Sequence, residues 1–315
     1  MPRNVARPSS NHLSSAREIV SRYLRPTPLV QARDSTWLKL ETMQPTGAFK
    51  VRGALNALTA IEPGTRIVTA SAGNHALGVA WASRKLGVPA TIVVAETAAS
   101  VKIEKLRDLG ADLVIHGDTY DEAEAHGIAL AANGGHFLSA YNDTYVIAGQ
   151  STVLDEIMRQ LPDDSQPVTI VVPVGGGGLL SGIALRAAEI ADREITLLGV
   201  EAEESQAVSA GVRAGHTVEV PIGETLADGL SGNAEPGSVT VDIIRDHGIE
   251  LVTATEDEIR GAIRALAFDH GVIAEGASAT AYATMTRLTR EGHVVRIITG
   301  RNISWPVLRD VLDAR

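Results

Sequence analysis

Apolar residues recur along this chain with two periods that take turns: short runs that suit a buried strand, and longer stretches spaced three and four apart that suit a helix. Residues 15–24 show the helical spacing, and RPTPL at 25–29 ends that helix because the residue before each proline is pushed out of helical backbone. TWLKL at 36–40 reads as a strand. Thr46 and Gly47 then break the chain, and from Lys50 the positions Val51, Ala54, Leu55 and Leu58 continue at helical spacing towards a turn at Pro63 and Gly64.

From Arg66 strand and helix alternate with short connections. RIVTA (66–70), ATIVVA (90–95) and ADLVIH (111–116) read as strands, and NHALGVAWASRKL (74–86) and SVKIEKLRDLG (100–110) as helices. Thr119 and Glu122 have the spacing of a capping box that opens a further helix. After an irregular YNDTY (141–145), the pattern predicts a helix around 151–160, a break over 161–167, the strand VTIVVPV (168–174), a glycine run (175–178) and the helix LLSGIALRAAEIA (179–191). Strands TLLGV (196–200), ELVTAT (250–255) and VVRIIT (294–299) follow, with helices after Thr255, which pairs with Glu258 as a second capping box, and after Glu275. This alternation predicts an α/β fold of two open parallel sheets with crossover helices. Ligands of such sheets bind at the carboxyl ends of the strands, so Lys50, the loop after Ala70 and the glycine run are expected to converge on one cleft.

Composition narrows the function classes. The chain has 315 residues, 44% hydrophobic and 21% charged, ordinary for a soluble globular protein, and only the first dozen residues are candidates for disorder. A formal charge of −10 argues against a nucleic-acid surface, which needs clustered lysine and arginine. With no cysteine, thiolate zinc sites, iron–sulfur clusters and cysteine nucleophiles are excluded, and a cytoplasmic location is compatible. The N-terminus lacks the apolar core of a secretory signal. Residues 168–185 are uncharged, but Pro173 and the glycines suit strand, turn and helix rather than a membrane span.

Three stretches carry candidate chemistry. Lys50 stands at a helix entrance, where the partial positive charge of the helix end disfavours an ammonium, and Phe49 beside it promotes desolvation. Both effects leave a nucleophilic amine able to form a Schiff base. A solvated helix lysine is the ordinary alternative, and Lys50 alone does not decide between them. Gly175, Gly176, Gly177 and Gly178 lie between a strand and a helix, where amides without side chains can cradle a phosphate. The run is not a Walker A loop, and Leu180 breaks the Gly-x-Gly-x-x-Gly pattern. Ser71, Ala72, Gly73, Asn74 and His75 form a second small-residue turn before a helix, able to offer amides to an anion. Capping by Ser71 or Asn74 is the plainer reading there, and His75 reads as a local hydrogen-bonding residue rather than a general base.

Taken in order, TGAFKVRGA (46–54), TASAGNHALG (69–78) and VPVGGGGLLSG (172–182) resemble the fold-type II pyridoxal-phosphate enzymes, most closely the threonine dehydratase and serine racemase group, from about Thr27 to Asn302. The resemblance implies a tryptophan synthase β-like fold, with a large cofactor-binding domain (1–65 and 143–315) and a small domain (66–142) carrying the SAGNHA loop. It implies pyridoxal 5'-phosphate on Lys50 beside Phe49, its phosphate on Gly175 to Gly178, and its ring hydroxyl on Asn74. Thr299, in IITGRNIS, stands where relatives have a serine bonded to the pyridine nitrogen. The substrate carboxylate would sit on residues 71–75.

The expected activity is an ammonia-lyase acting on a β-hydroxy amino acid, L-threonine or L-serine by default. Ala72 replaces the serine that delivers a proton in racemases, so elimination is favoured over racemisation. Arg301 departs from the family pattern and either points away or reads a second substrate carboxylate, which keeps 3-hydroxyaspartate open. Glu201 matches one ligand of a divalent cation found in some relatives, but Ala207 replaces the aspartate, so no metal is expected; Glu203 and Glu204 read as solvated. The resemblance further implies a homodimer or higher homo-oligomer and, with no regulatory domain after Asn302, no isoleucine inhibition. A protein that binds the cofactor or an amino acid without turnover is the alternative outside enzymes.

Overall fold

A computed structural model describes residues 3–285 and 290–313. Two sheets organise the chain. In the four-stranded sheet, β3 (Ile67–Ala70), β4 (Ala90–Val94), β5 (Asp112–Ile115) and the short β6 (His136–Phe137) are all parallel, in the order β5-β4-β3-β6. The helices α3 (Asn74–Leu86), α4 (Ser100–Asp108) and α5 (Tyr120–Ala131) connect them. The six-stranded sheet orders β1 (Leu29–Arg33), β2 (Thr36–Leu40), β10 (His293–Ile298), β7 (Val168–Pro173), β8 (Ile195–Ala202) and β9 (Glu250–Ala254). Every residue of β7 and β10 is buried, as parallel strands covered on both faces require.

The two open sheets are those expected, with one antiparallel strand at an edge. β1 pairs antiparallel with β2 at the edge of the larger sheet, returned by a tight turn in which Asp34 has φ 37°. Its half-exposed residues carry no clear strand signature.

Helix starts follow their caps. α1 (Ser10–Tyr23) begins five residues before the spacing suggests, because Ser9 caps it and the His12 ring reaches back to the Ser9 amide at 3.1 Å. α6 (Thr144–Gln160) begins inside the YNDTY stretch, where Asp143 accepts from the Tyr145 and Val146 amides at 2.8 and 2.9 Å. Both Thr-x-x-Glu capping boxes form, before α5 and before α10 (Glu256–His270). The N-terminal arm is placed as well: Arg3 donates to Phe137 O, Asn142 O and the Glu235 carboxylate. Disorder over the first dozen residues is therefore not what the structure has from residue 3 onward.

The helix α2 (Lys50–Ala60) packs against both α3 and α6, and Val51 through Leu58 are all buried. Its apolar face joins Val79 of α3, Ile92 of β4 and Val146 of α6 in one core cluster. Its opposite face carries Arg52 into a buried ionic cluster. The Arg52 guanidinium donates to both oxygens of Glu41, at 2.7 and 2.8 Å, and to both oxygens of Glu156, at the same distances. Lys39 donates to Glu156 and to Thr27 O, each at 2.7 Å. Burial alone would raise the Glu41 carboxyl, but Arg52 outweighs it and holds Glu41 at about 2. Two cations face two carboxylates with their hydrogen bonds satisfied, the condition under which buried charges persist.

Candidate active site

Three strand ends and one helix entrance build a single cavity of about 690 Å³. The loop after β3 brings Ser71 to His75, the loop after β7 brings Gly175 to Gly178, and β10 delivers Thr299. Lys50 enters at the start of α2, and Phe49 lies beside it. Phe49, Lys50, Ser71 to His75, Gly175 to Gly178 and Thr299, the candidate cofactor and substrate residues, all line this one cavity.

The Lys50 loop is stitched to the end of β10. Phe49 N donates to Thr299 O at 2.9 Å, Ala48 and Gly300 form a bridge, and Arg301 N donates to Gly47 O at 2.9 Å. Gly47 has φ +74°, and a Cβ there would lie 2.9 Å from Asn302 Oδ1, so the turn needs glycine on both counts. Lys50 Nζ donates to Ala140 O at 2.7 Å and lies 5.1 Å from the centre of the Phe49 ring. Desolvation brings its amine down to about 8, against the opposing pull of the Glu275 carboxyl. Burial is the chief cause of the lowering.

Unpaired donors surround it. Among the described residues the amides of Gly175, Gly176, Gly177 and Gly178 donate to no protein acceptor, and they open on the cavity at the start of α7 (Gly178–Ala187). The amides of Ala72, Asn74 and His75 are likewise free, whereas Gly73 N is taken by Ser71 Oγ at 3.1 Å. The Thr299 hydroxyl lines the cavity without a protein partner among the described residues. Such groups must find partners, and two sets of amides at helix N-termini suit two anions. The glycine run also answers to packing. A Cβ on Gly176 would lie 2.3 Å from the Tyr141 ring, and Gly177 has φ +79°.

His75 is buried, its Nε2 3.2 Å from Leu138 O and its Nδ1 unpaired. Burial and the nearby Lys50 push it down to about 3, so it is a neutral hydrogen-bonding residue with no proton to give. Arg301 stays outside: it is exposed, its guanidinium lies 3.9 Å from Met43 Sδ, and it does not line the cavity. That position agrees with the alternative in which it points away from the site. Glu201 accepts from the Val208 and Ser209 amides, at 2.9 and 3.1 Å, and from the Ser209 hydroxyl. Its carboxylate thereby takes two free amides in the first turn of α8 (Ala207–Ala214). Glu203 and Glu204 are exposed.

The cavity holds residues that spacing did not single out. Glu275, at the N-terminal cap of α11 (Gly276–Ala283), is buried and pushed up to about 7 by desolvation and then by Asp228. Lys102 of α4 and Asp228 stand at its mouth 3.7 Å apart, and Tyr141 and Tyr120 add aromatic walls. A lone glutamate in the apolar run GVIAEGASA is a readable signal for a buried, partnered carboxyl. Lys102 gives none, since it reads as a solvated helix lysine.

A lysine amine with a lowered proton affinity shares this cavity with two sets of free amides at parallel-sheet ends. The chain belongs to the pyridoxal-phosphate dependent enzymes, whose family description it matches over residues 20–300. It is 40% identical over 283 residues to an L-threonine ammonia-lyase of Thermotoga maritima, covering 88% of this chain and 69% of that protein. The processed form of threonine deaminase isoform 2 from Solanum lycopersicum superposes with a TM-score of 0.86 at 29% identity, covering 100% of this chain and 97% of that one. Maize serine racemase superposes with a TM-score of 0.87 at 26% identity, covering 97% of each chain. The fold is that of fold-type II enzymes, and pyridoxal 5'-phosphate is the cofactor. No helix among the described residues is long and apolar enough to cross a membrane.

Proposed function

We propose that this chain is an ammonia-lyase that converts a β-hydroxy amino acid, L-threonine or L-serine, to a 2-oxo acid and ammonia. One observation carries the reading: the lowered amine of Lys50, two sets of unpaired amides and the Thr299 hydroxyl open on the same cavity. The residues present fit the cofactor. The free amides of Gly175 to Gly178 would take its phosphate, Thr299 its pyridine nitrogen, Asn74 its ring hydroxyl and Lys50 its aldehyde carbon, with Phe49 alongside. When bound, that group supplies a carbonyl that takes up an amine and a ring that accepts the electrons of the bond broken at the α-carbon.

The rest is the work of this chain's side chains and amides. Ala72, Asn74 and His75 hold the substrate carboxylate on their amides, which fixes which bond at the α-carbon faces Lys50. Lys50, exchanged for the substrate amine, removes the α-proton at Nζ. The β-hydroxyl leaves as water with a proton equivalent to the one Lys50 removed, and hydrolysis of the released enamine gives the 2-oxo acid and ammonia. Ala72 has no proton to return on the opposite face, and neutral His75 has none either, which favours elimination over racemisation. The division into a large unit (1–65 and 143–315) and a small one (66–142) belongs to the same proposal; the four-stranded sheet lies wholly within the second span. Self-association and a cytoplasmic location complete it; Phe268 and Trp305, 69% and 68% exposed, are surfaces that pairing would cover.

The test is 2-oxo acid and ammonia release from purified, cofactor-loaded protein, across L-threonine, L-serine, D-serine and the 3-hydroxyaspartates. Release from L-threonine or L-serine is the expected result. Interconversion of serine enantiomers without ammonia would overturn the lyase reading.

A further inference from the structure

The cavity contains one buried carboxyl that the proposed reaction leaves unused. Glu275 is 6% exposed, and both of its oxygens are engaged: Oε1 accepts from Asn74 Nδ2 at 2.6 Å and Oε2 from the Asn302 amide at 3.1 Å. Asn302 Nδ2 donates to Thr46 O at 2.9 Å and to Asn74 Oδ1 at 2.7 Å. These bonds form a closed chain whose directions are forced at both ends. The Thr46 carbonyl can only accept, so the Asn302 group facing it must be its amino group. That amino group directs its second N–H to Asn74, which must therefore present oxygen there and nitrogen to Glu275. A flipped Asn74 would set oxygen against a carboxylate and amino against amino. The assignment thus rests on which partners can donate and not on how an amide is drawn.

We propose that Glu275 is a positioning residue for the cofactor, locking the Asn74 amide so that its one remaining N–H points a donor at the cofactor's ring hydroxyl. The inference rests on the cofactor-binding reading of Lys50 and Asn74 above. A donor at that oxygen stabilises its deprotonated form, and the charge on that oxygen governs the visible absorption of the bound cofactor. Only an ionised Glu275 can accept on both sides. A proton on Oε1 would face the Asn74 N–H and release the lock. The charged groups facing the carboxyl are Lys50 of α2, Lys102 of α4 and Asp228 of the turn Asp228–Leu230. Burial and Asp228 favour the proton, Asn74, Asn302 and Lys102 oppose it, and the balance lies at about 7, where a working lock can open and close.

The experiment is a cofactor titration and a pH titration of the visible band in substrate-free protein, for the parent, Glu275→Gln and Asn302→Ala. Glutamine can accept from Asn74 through its oxygen but turns an amino group on the Asn302 amide. Cofactor affinity falls about tenfold, as expected for loss of a charge-assisted bond, and the band loses its dependence on pH near neutrality. Asn302→Ala keeps the carboxylate and removes one side of the lock, so affinity and band move in the same direction by less. If Glu275→Gln does not fold, the Asn302→Ala band decides the matter alone. Parent-like affinity with a parent-like pH titration in the variants overturns the role of Glu275 while leaving the cofactor site intact. Failure of the parent itself to take up pyridoxal 5'-phosphate overturns the site reading and this inference together.

Discussion

Lys50 and Arg52 stand two residues apart on one helix, both desolvated, and their proton affinities shift in opposite directions. Arg52 meets four carboxylate oxygens at 2.7 to 2.8 Å and keeps its charge. Lys50 has a carbonyl at 2.7 Å and an aromatic ring, its nearest carboxyl acts only through space, and its amine drops to about 8. The difference shows that burial by itself does not make a reactive amine. Burial with the counter-charge held at a distance does. The back face of α2 is built for a fixed charge, and the front face for a proton that can leave.

The largest effect that would break this contrast is Lys50→Ala. Turnover falls at least about a thousandfold through loss of nucleophile and base, while the denaturant midpoint barely moves, because no ion pair is lost. A large loss of stability would show Lys50 to be structural. The mirror-image change, Arg52→Met, costs about 3–5 kcal/mol in urea unfolding by leaving Glu41 and Glu156 with Lys39 alone. An unchanged midpoint would mean that the cluster contributes nothing.

The pH dependence of stability sharpens the contrast, since the two faces slope in opposite directions. Glu41, held at about 2 against an ordinary 4.5, contributes about 3 kcal/mol that is present above pH 4.5 and lost as pH falls towards 2. Glu275, raised to about 7, binds its proton more tightly folded than unfolded, so its contribution is lost as pH rises from 4.5 to 7. His75 opposes it, contributing stability that is lost as pH falls from 6.5 towards 3. Thermal midpoints of the parent and Glu275→Gln across pH 4.5 to 7 should diverge in favour of the variant at the upper end; parallel curves would remove the shift assigned to Glu275. The smallest effect belongs to Glu201→Gln, which costs about 1 kcal/mol by weakening the α8 cap. Chelation by EDTA leaves parent turnover unchanged, and loss of activity restored by a divalent cation would contradict the capping role.

Much of this was legible in order along the chain. The start of α2 at Lys50, the helix 74–86, both capping boxes and the parallel alternation follow from periodicity and local chemistry. The failures have local causes of their own. β6 is two residues long, β1 is half exposed, and α8 is capped by Glu201 across a gap in sequence that no short motif reports. α9 (Val239–Asp246) and α12 (Trp305–Asp313) are short amphipathic helices whose patterns are easily passed over. In the site, the three glycine- and lysine-bearing loops announce themselves because backbone demands special residues. Lys102 and Tyr141 matter only through what lies across the cavity, which a linear pattern does not carry, and Glu275 shows in the sequence only as a lone carboxyl in an apolar run, without its partners.

The most direct test of the central claim is to reduce the cofactor-loaded protein with borohydride, digest it and locate the modified residue by mass spectrometry. The label is expected on Lys50. A label on Lys102, the other lysine lining the cavity, or no label on a protein that still turns over substrate, would contradict the assignment of the reactive amine.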